Sequence, residues 1–201
     1  TLYEIISEID RICQKHDIRY FVTGGTAIGA HFWQAIIPWD DDVDIGMTRD
    51  NYERFLSVAP DELSPLYFLQ TPETEKHTPF IFAKVRRNDS MFSESQFSSI
   101  EMHQGIYVDI FPFDRIPADK RAEKRQYNQL HLLNGLFIAT EIWQWEHCGH
   151  CDVENPRPRG FFPCLATRII ISIVPKKVIF KLIRKVQTKY DDSGSSECKQ
   201  T

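Results

Sequence analysis

The stretch Pro38-Trp39-Asp40-Asp41-Asp42-Val43-Asp44-Ile45-Gly46 constrains this chain more than any other. Side chains of an extended strand alternate between faces, so Asp42 and Asp44 share one face while Val43 and Ile45 share the other. The apolar pair can anchor the strand in a core. The two carboxylates then stand roughly 6 to 7 Å apart at the backbone. On a partly buried face they repel each other, and each acquires a raised pKa. A divalent cation between them removes the conflict, and oxygen ligands of this kind suit Mg²⁺ or Mn²⁺. A solvated acidic turn is the plain alternative. A calcium loop over Asp40, Asp42 and Asp44 fits poorly, because its glycine position holds Ile45 and its closing glutamate position holds Asn51.

A further carboxylate sits in Gly105-Ile106-Tyr107-Val108-Asp109-Ile110-Phe111. By alternation Asp109 shares a face with Tyr107 and Phe111 in an otherwise apolar strand. If this strand lies beside the first, Asp42, Asp44 and Asp109 converge on a site able to hold two metal ions about 4 Å apart and to align a displacement at phosphorus. Alone, Asp109 could equally be a strand-end residue bonded to nearby backbone. Upstream, Phe21-Val22-Thr23-Gly24-Gly25-Thr26 reads as a strand, a double-glycine turn and a helix start. Glycine permits close approach of backbone to a phosphate, and a helix start offers free N–H groups. The Thr26 hydroxyl adds a possible hydrogen bond. Neither a P-loop nor a dinucleotide fingerprint is present, and a bare turn would look the same.

The remaining patterning gives an α/β chain. Leu2, Ile5, Ile6, Ile9, Ile12 and Cys13 recur at helical spacing. Strand signals follow at Ile18–Thr23, Val43–Met47, Tyr67–Thr71, Phe80–Arg86 and Ile106–Phe111, the last expected to end at Pro112. Helices are expected over Thr26–Trp33 and Arg49–Val58, then from Asp119 to about residue 145 and from Pro163 to Tyr190 with a break at Pro175. Residues 1–116 therefore form an α/β core and residues 117–201 a mostly helical portion. A chain of 201 residues with 42% hydrophobic content needs no disulfide staples. Its net charge of −4 and pI of about 6.0 argue against a nucleic-acid coat. Five cysteines without a pairing pattern fit a reducing compartment. The most apolar run, around Ile169–Val174, falls far short of the roughly 20 residues that span a bilayer.

The blocks Gly-Gly-Thr-Ala-Ile-Gly at 24–29, Ile37-Pro38-Trp39-Asp40-Asp41-Asp42-Val43-Asp44-Ile45 and Gly105-Ile106-Tyr107-Val108-Asp109-Ile110-Phe111-Pro112 resemble the LicD family. That family includes bacterial phosphocholine transferases and fukutin-like sugar phosphotransferases. The resemblance runs from about residue 3 to residue 116. It implies a nucleotidyltransferase-type mixed β-sheet flanked by helices, acting with Mg²⁺ or Mn²⁺ on a nucleotide-activated donor such as CDP-choline. Gly24, Gly25 and Thr26 would face the donor phosphates. Asp42 and Asp44 would bind metal, with Asp40 as a ligand or its neighbour and Asp109 as the third carboxylate. Phe82-Ala83-Lys84-Val85-Arg86 also resembles a family strand. Lys84 and Arg86 share one of its faces and could neutralise phosphate, or could mark an exposed sheet edge.

The implied activity is metal-dependent transfer of a phospho-substituent, such as phosphocholine, to a sugar of a cell-surface glycan, free or lipid-linked. Lipopolysaccharide or teichoic acid would be modified by it, with Asp42, Asp44 and Asp109 catalytic. Two alternatives stay open: nucleotidyl transfer to a small molecule or protein, and an inactive nucleotide-binding module. Phe32, Trp33 and Ala35 stand where the family usually carries Arg, His and Gly, so the expected basic donor contact would come from elsewhere, with His31 at hand. The family's Tyr- and Gly-rich C-terminal portion is not recognisable, so the chain reads as a truncated member. Cys148 and Cys151 are half of a zinc site at most. Leu165–Tyr190 holds seven basic residues and no acidic one among many apolar ones. It could rest on an anionic membrane, giving a cytoplasmic protein at the inner membrane face, or pack on the core with a solvated basic side.

Overall fold

The computed structural model describes residues 1–142, 161–191 and 197–200. Helix α1 (Leu2–Lys15) turns Ile5, Ile9, Ile12 and Cys13 inward, all buried, so the periodic stripe is the packing face. Then follow β1 (Phe21–Val22), α2 (Gly24–Phe32), β2 (Asp44–Thr48), α3 (Arg49–Glu62), β3 (Tyr67–Gln70), β4 (Ala83–Arg87) and β5 (Tyr107–Arg115). The helices α4 (Lys120–Ile142), α5 (Phe161–Ile173) and α6 (Lys176–Gln187) come next, and strand β6 (Cys198–Gln200) closes the described chain.

The strands make one mixed sheet in the order β1-β2-β5-β4-β3, with β6 on the far stretch of β5. Among the described strands only β2 and β5 run parallel; the other pairs are antiparallel. Alternation sends Ile45, Met47, Ala83, Val85, Val108 and Ile110 to one face. There they meet α1 and the Tyr52, Phe55 and Ala59 side of α3 in one buried cluster. Each large aliphatic side chain buried here contributes about 1.5–3 kcal/mol. The opposite face is left to polar and aromatic side chains, and the site lies on it.

Several expectations change in detail; helix α3, for one, runs past Val58 to Glu62 and β4 starts only at Ala83. Strand β5 continues through Pro112 to Arg115. Asp109 N–H donates to Val43 O, just ahead of β2, so the donor missing at Pro112 belongs to the other side of the strand. On that side pairing with β4 stops at Ile110 and pairing with β6 starts at Phe113. The proline therefore falls in a gap where no ladder bond is lost. The Ile18–Thr23 strand shrinks to Phe21–Val22, because the N–H groups of Ile18 and Arg19 donate to Cys13 O and Asn51 Oδ1. Strand β4 is an interior strand, between β5 and β3, so Lys84 and Arg86 do not mark an exposed edge.

The helices behind the core pack through an apolar seam. Phe137 of α4 meets Ile179 and Ile183 of α6, all buried. Asp119 caps α4 by accepting the Ala122 N–H at 2.9 Å. Arg49, at the start of α3, donates to both Asp114 oxygens at 2.6 and 2.7 Å and to Gln187 of α6 at 3.3 Å. This buried fork ties the sheet to the helical portion. The expected break at Pro175 separates α5 from α6. Cys148 and Cys151 lie outside the described residues.

Candidate functional site

Register assembles the site. Asp44 of β2 is paired with Asp109 of β5, Lys84 of β4 with the same Asp109, and Gln70 of β3 with Lys84. Asp44, Asp109, Lys84 and Gln70 thus form one row across the sheet, on the face away from the apolar core. Lys84 Nζ lies 2.7 Å from Asp109 Oδ1 and donates a hydrogen bond to Oδ2 at 3.1 Å. Both Asp109 oxygens therefore lie against the ammonium, Oδ1 as its closest ion-pair contact. The ammonium also sits over the rings of Tyr107 at 3.5 Å and Phe80 at 4.2 Å from their centroids. Lys84 and Arg86 are both almost fully buried. Arg86 donates to Gln70 Oε1 and Gly105 O, each at 2.7 Å, so its guanidinium braces the sheet face.

The acidic loop reaches the same place from the other side. Asp40 N–H donates to Ile37 O at 2.9 Å, closing a turn through Pro38 and Trp39. Carboxylate oxygens of Asp40, Asp41 and Asp42 all lie within 4.8 Å of one another. Asp44 follows and is bound through its backbone to the start of α2. Its N–H donates to Thr26 Oγ1 at 2.8 Å, and its C=O accepts from Thr23 N–H at 3.1 Å. The Thr26 oxygen, expected near a donor phosphate, is committed to positioning Asp44.

The two glycines are explained by this proximity. Gly24 has φ +55°, and a Cβ there would stand 2.8 Å from Asp44 Oδ2. A Cβ on Gly25 would stand 2.7 Å from Asp40 Oδ2. The open N-terminal turn of α2, with its positive dipole end, therefore abuts the carboxylates directly.

Electrostatics mark the cluster as strained. Burial, then the charges of Asp44 and Asp40, pushes the Asp42 carboxyl from 3.8 up to about 6. Burial raises Asp44 as well; Lys84 pulls it back and Asp40 adds to the rise. Burial outweighs the nearby ammonium at Asp109 and raises it too. The same burial holds Lys84 below the usual lysine range, against the pull of Asp109. Asp40, Asp42, Asp44 and Asp109 offer oxygen donors only, and they are crowded enough to repel one another. Among the described residues, the acids close enough to share one ion are Asp40, Asp41 and Asp42, and oxygen donors of this kind suit a hard divalent cation.

The structure thus brings together Asp40, Asp42, Asp44, Asp109, Gly24, Gly25 and Thr26, with Lys84 inside the group and Arg86 behind it. Asp41 and Tyr107 join them without having been singled out. Asp41 was legible as one more acid in a run, whereas Tyr107 gains its role only through the β4–β5 register. At the far end of α2, Phe32 and Trp33 form an edge-to-face chain with His31 and Trp39. Phe32 and Trp39 are strongly exposed, so an aromatic rim occupies the place of the basic contact.

The sequence matches known proteins. Residues 17–134 match the family described as LicD/FKTN/FKRP, nucleotidyltransferase domain. The chain is 31% identical over 123 residues to the lipopolysaccharide cholinephosphotransferase LicD of Haemophilus influenzae, covering 58% of this chain and 43% of that protein. Two uncharacterized proteins, of Rickettsia typhi and Rickettsia prowazekii, are 35% and 33% identical over 60 residues. Those matches cover 30% of this chain and 19% and 23% of the two proteins. The chain thus spans less than half the length of these relatives. With more than half of its residues inside the family match, and with paired aspartates meeting a glycine-started helix on one sheet face, this chain belongs to the LicD/FKTN/FKRP family of nucleotidyltransferase domains.

Proposed function

We propose that this domain is a metal-dependent phosphotransferase that moves phosphocholine from CDP-choline to a sugar hydroxyl of a cell-surface glycan, at the inner face of the membrane. The observation that carries the reading is the pairing of Asp44 with Asp109 across parallel strands, with Asp42 and Asp40 beside them and Gly24 against the Asp44 carboxylate. The name of the Haemophilus relative supports phosphocholine as the group and lipopolysaccharide as the acceptor; teichoic acid offers the same acceptor chemistry.

Mg²⁺ or Mn²⁺ held by Asp42, Asp44 and Asp109, with Asp40 adjoining, would supply charge neutralisation at the transferring phosphate and its leaving group. The chain's own residues do the positioning. Thr26 and Thr23 hold the Asp44 backbone, so the carboxylate cannot drift from the helix start. Gly24 and Gly25 leave room for phosphate oxygens to approach backbone N–H groups. Lys84 fixes the Asp109 carboxylate and balances one of the crowded charges.

A mass-resolved assay with CDP-choline and a glycan lacking phosphocholine tests the proposal. Release of CMP, with phosphocholine added to the acceptor, is expected. Nucleotide appearing on the acceptor would instead establish nucleotidyl transfer, and binding of CDP-choline without product would leave a binding module. Asp42→Asn and Asp109→Asn should each lower turnover by about 10²-fold or more.

A further inference from the structure

We propose that α5 and the outer side of α6 form a docking surface for an anionic lipid bilayer. The segment packs less completely than its composition demands. Helix α6 buries one seam, Ile179, Ile183 and Gln187, against the helical core. Helix α5 leaves Leu165, Ile169 and Ile173, four residues apart on one face, open to solvent together with Ile170. Ile173 is 73% exposed. On α6, Val178 and Leu182 form an apolar shoulder beside the buried seam, and both are exposed. Exposed apolar faces of this kind mark contact sites.

Charge selects the occupant. Lys176 and Arg184 are neutralised by Glu141 and Glu53. Arg168, Lys177, Lys181 and Lys185 have no carboxylate at ion-pair distance among the described residues. Lys177, Lys181 and Lys185 repeat every four residues, so they form a row alongside the Val178–Leu182 shoulder. No acidic residue interrupts Leu165–Tyr190. A second copy of the chain would set these like charges against one another across a two-fold axis. An anionic bilayer accepts both features, taking apolar side chains at the acyl boundary and cations at the headgroups. The helix of 13 residues is about 20 Å long, against roughly 30 Å of hydrocarbon, so it lies along the surface and does not cross.

The test is co-sedimentation of the whole chain with vesicles of phosphatidylcholine alone or enriched in phosphatidylglycerol. Binding to the enriched vesicles only, weakened by added salt, is expected. Ile173→Glu should abolish it, and Lys181→Glu with Lys185→Glu should lower the partition coefficient by at least about 25-fold, at about fivefold per lysine. Each altered side chain is exposed, so urea melts should match wild type. Met91→Glu, another exposed apolar position, should bind as wild type. Equal partition into both vesicle types, or none into either, overturns the proposal. So does a self-associated species that Ile173→Glu converts to monomer, since the face would then be a protein interface. None of these outcomes depends on whether the domain transfers phosphocholine.

Discussion

Replacing Asp42 by asparagine should stabilise the metal-free protein at alkaline pH while destroying its capacity to be stabilised by metal. The folded state raises the Asp42 pKa from 3.8 to about 6 through burial and the charges of Asp44 and Asp40. A folded pKa above the unfolded one means that the folded state holds more protons between those values. Stability is therefore lost as pH rises through that window, and the penalty is complete above about pH 6. At about 1.36 kcal/mol per pH unit the displacement corresponds to about 3 kcal/mol. Asp42 is only partly buried, so solvent screening reduces the usable figure to about 1 kcal/mol. For a chain of this length that is about 2–4 °C in Tm. Thermal melts in chelator at pH 8 and pH 4 read it: the Asp42→Asn variant should melt higher at pH 8 and level with wild type at pH 4. Added Mg²⁺ or Mn²⁺ should raise the wild-type Tm and close the gap. A variant with no gain at pH 8, or with the same gain at both pH values, would refute the argument that burial and the neighbouring carboxylates together raise Asp42.

Lys84→Met should cost about 3–5 kcal/mol in urea unfolding, because Asp109 is left as a buried charge without its partner. Adding Asp109→Asn should recover most of that stability but no turnover. Asp114→Ala, far from the carboxylate row, should cost about 1.5–3 kcal/mol by removing two charge-assisted hydrogen bonds from Arg49, which keeps its ion pair to Glu53, while specific activity per folded molecule stays near wild type. Gly24→Ala must place a side chain at φ +55° beside Asp44 Oδ2. It should cost about 1–3 kcal/mol, and calorimetry should find the affinity for CDP-choline reduced further than Gly25→Ala reduces it.

The fold was legible wherever the constraint was local. The α1 stripe, the alternation of Val43, Asp44 and Ile45, and that of Val108, Asp109 and Ile110 each fixed an element and its buried face without reference to the rest of the chain. What pairs with what was not legible, because register is set by contacts between segments distant in sequence. Lys84 shows the consequence. Its strand and its face could be read from residues 82–86, yet whether it met a phosphate or a carboxylate depended on β4 lying against β5 in the register that pairs it with Asp109. Pro112 shows the reverse case. Its local chemistry pointed to a strand end, but the missing donor matters only if a neighbour needs it, and β4 and β6 leave that position unpaired. The same reasoning explains why the site lies where it does. A row of three ionisable groups, Asp44, Asp109 and Lys84, can be kept on a sheet face only if the opposite face buries enough apolar area to hold the strands in register. Val43, Ile45, Val85, Val108 and Ile110 do this on the residues immediately flanking the charged ones. Truncating any of them should therefore damage the site and the stability together, whereas the acids themselves can be neutralised without loss of fold.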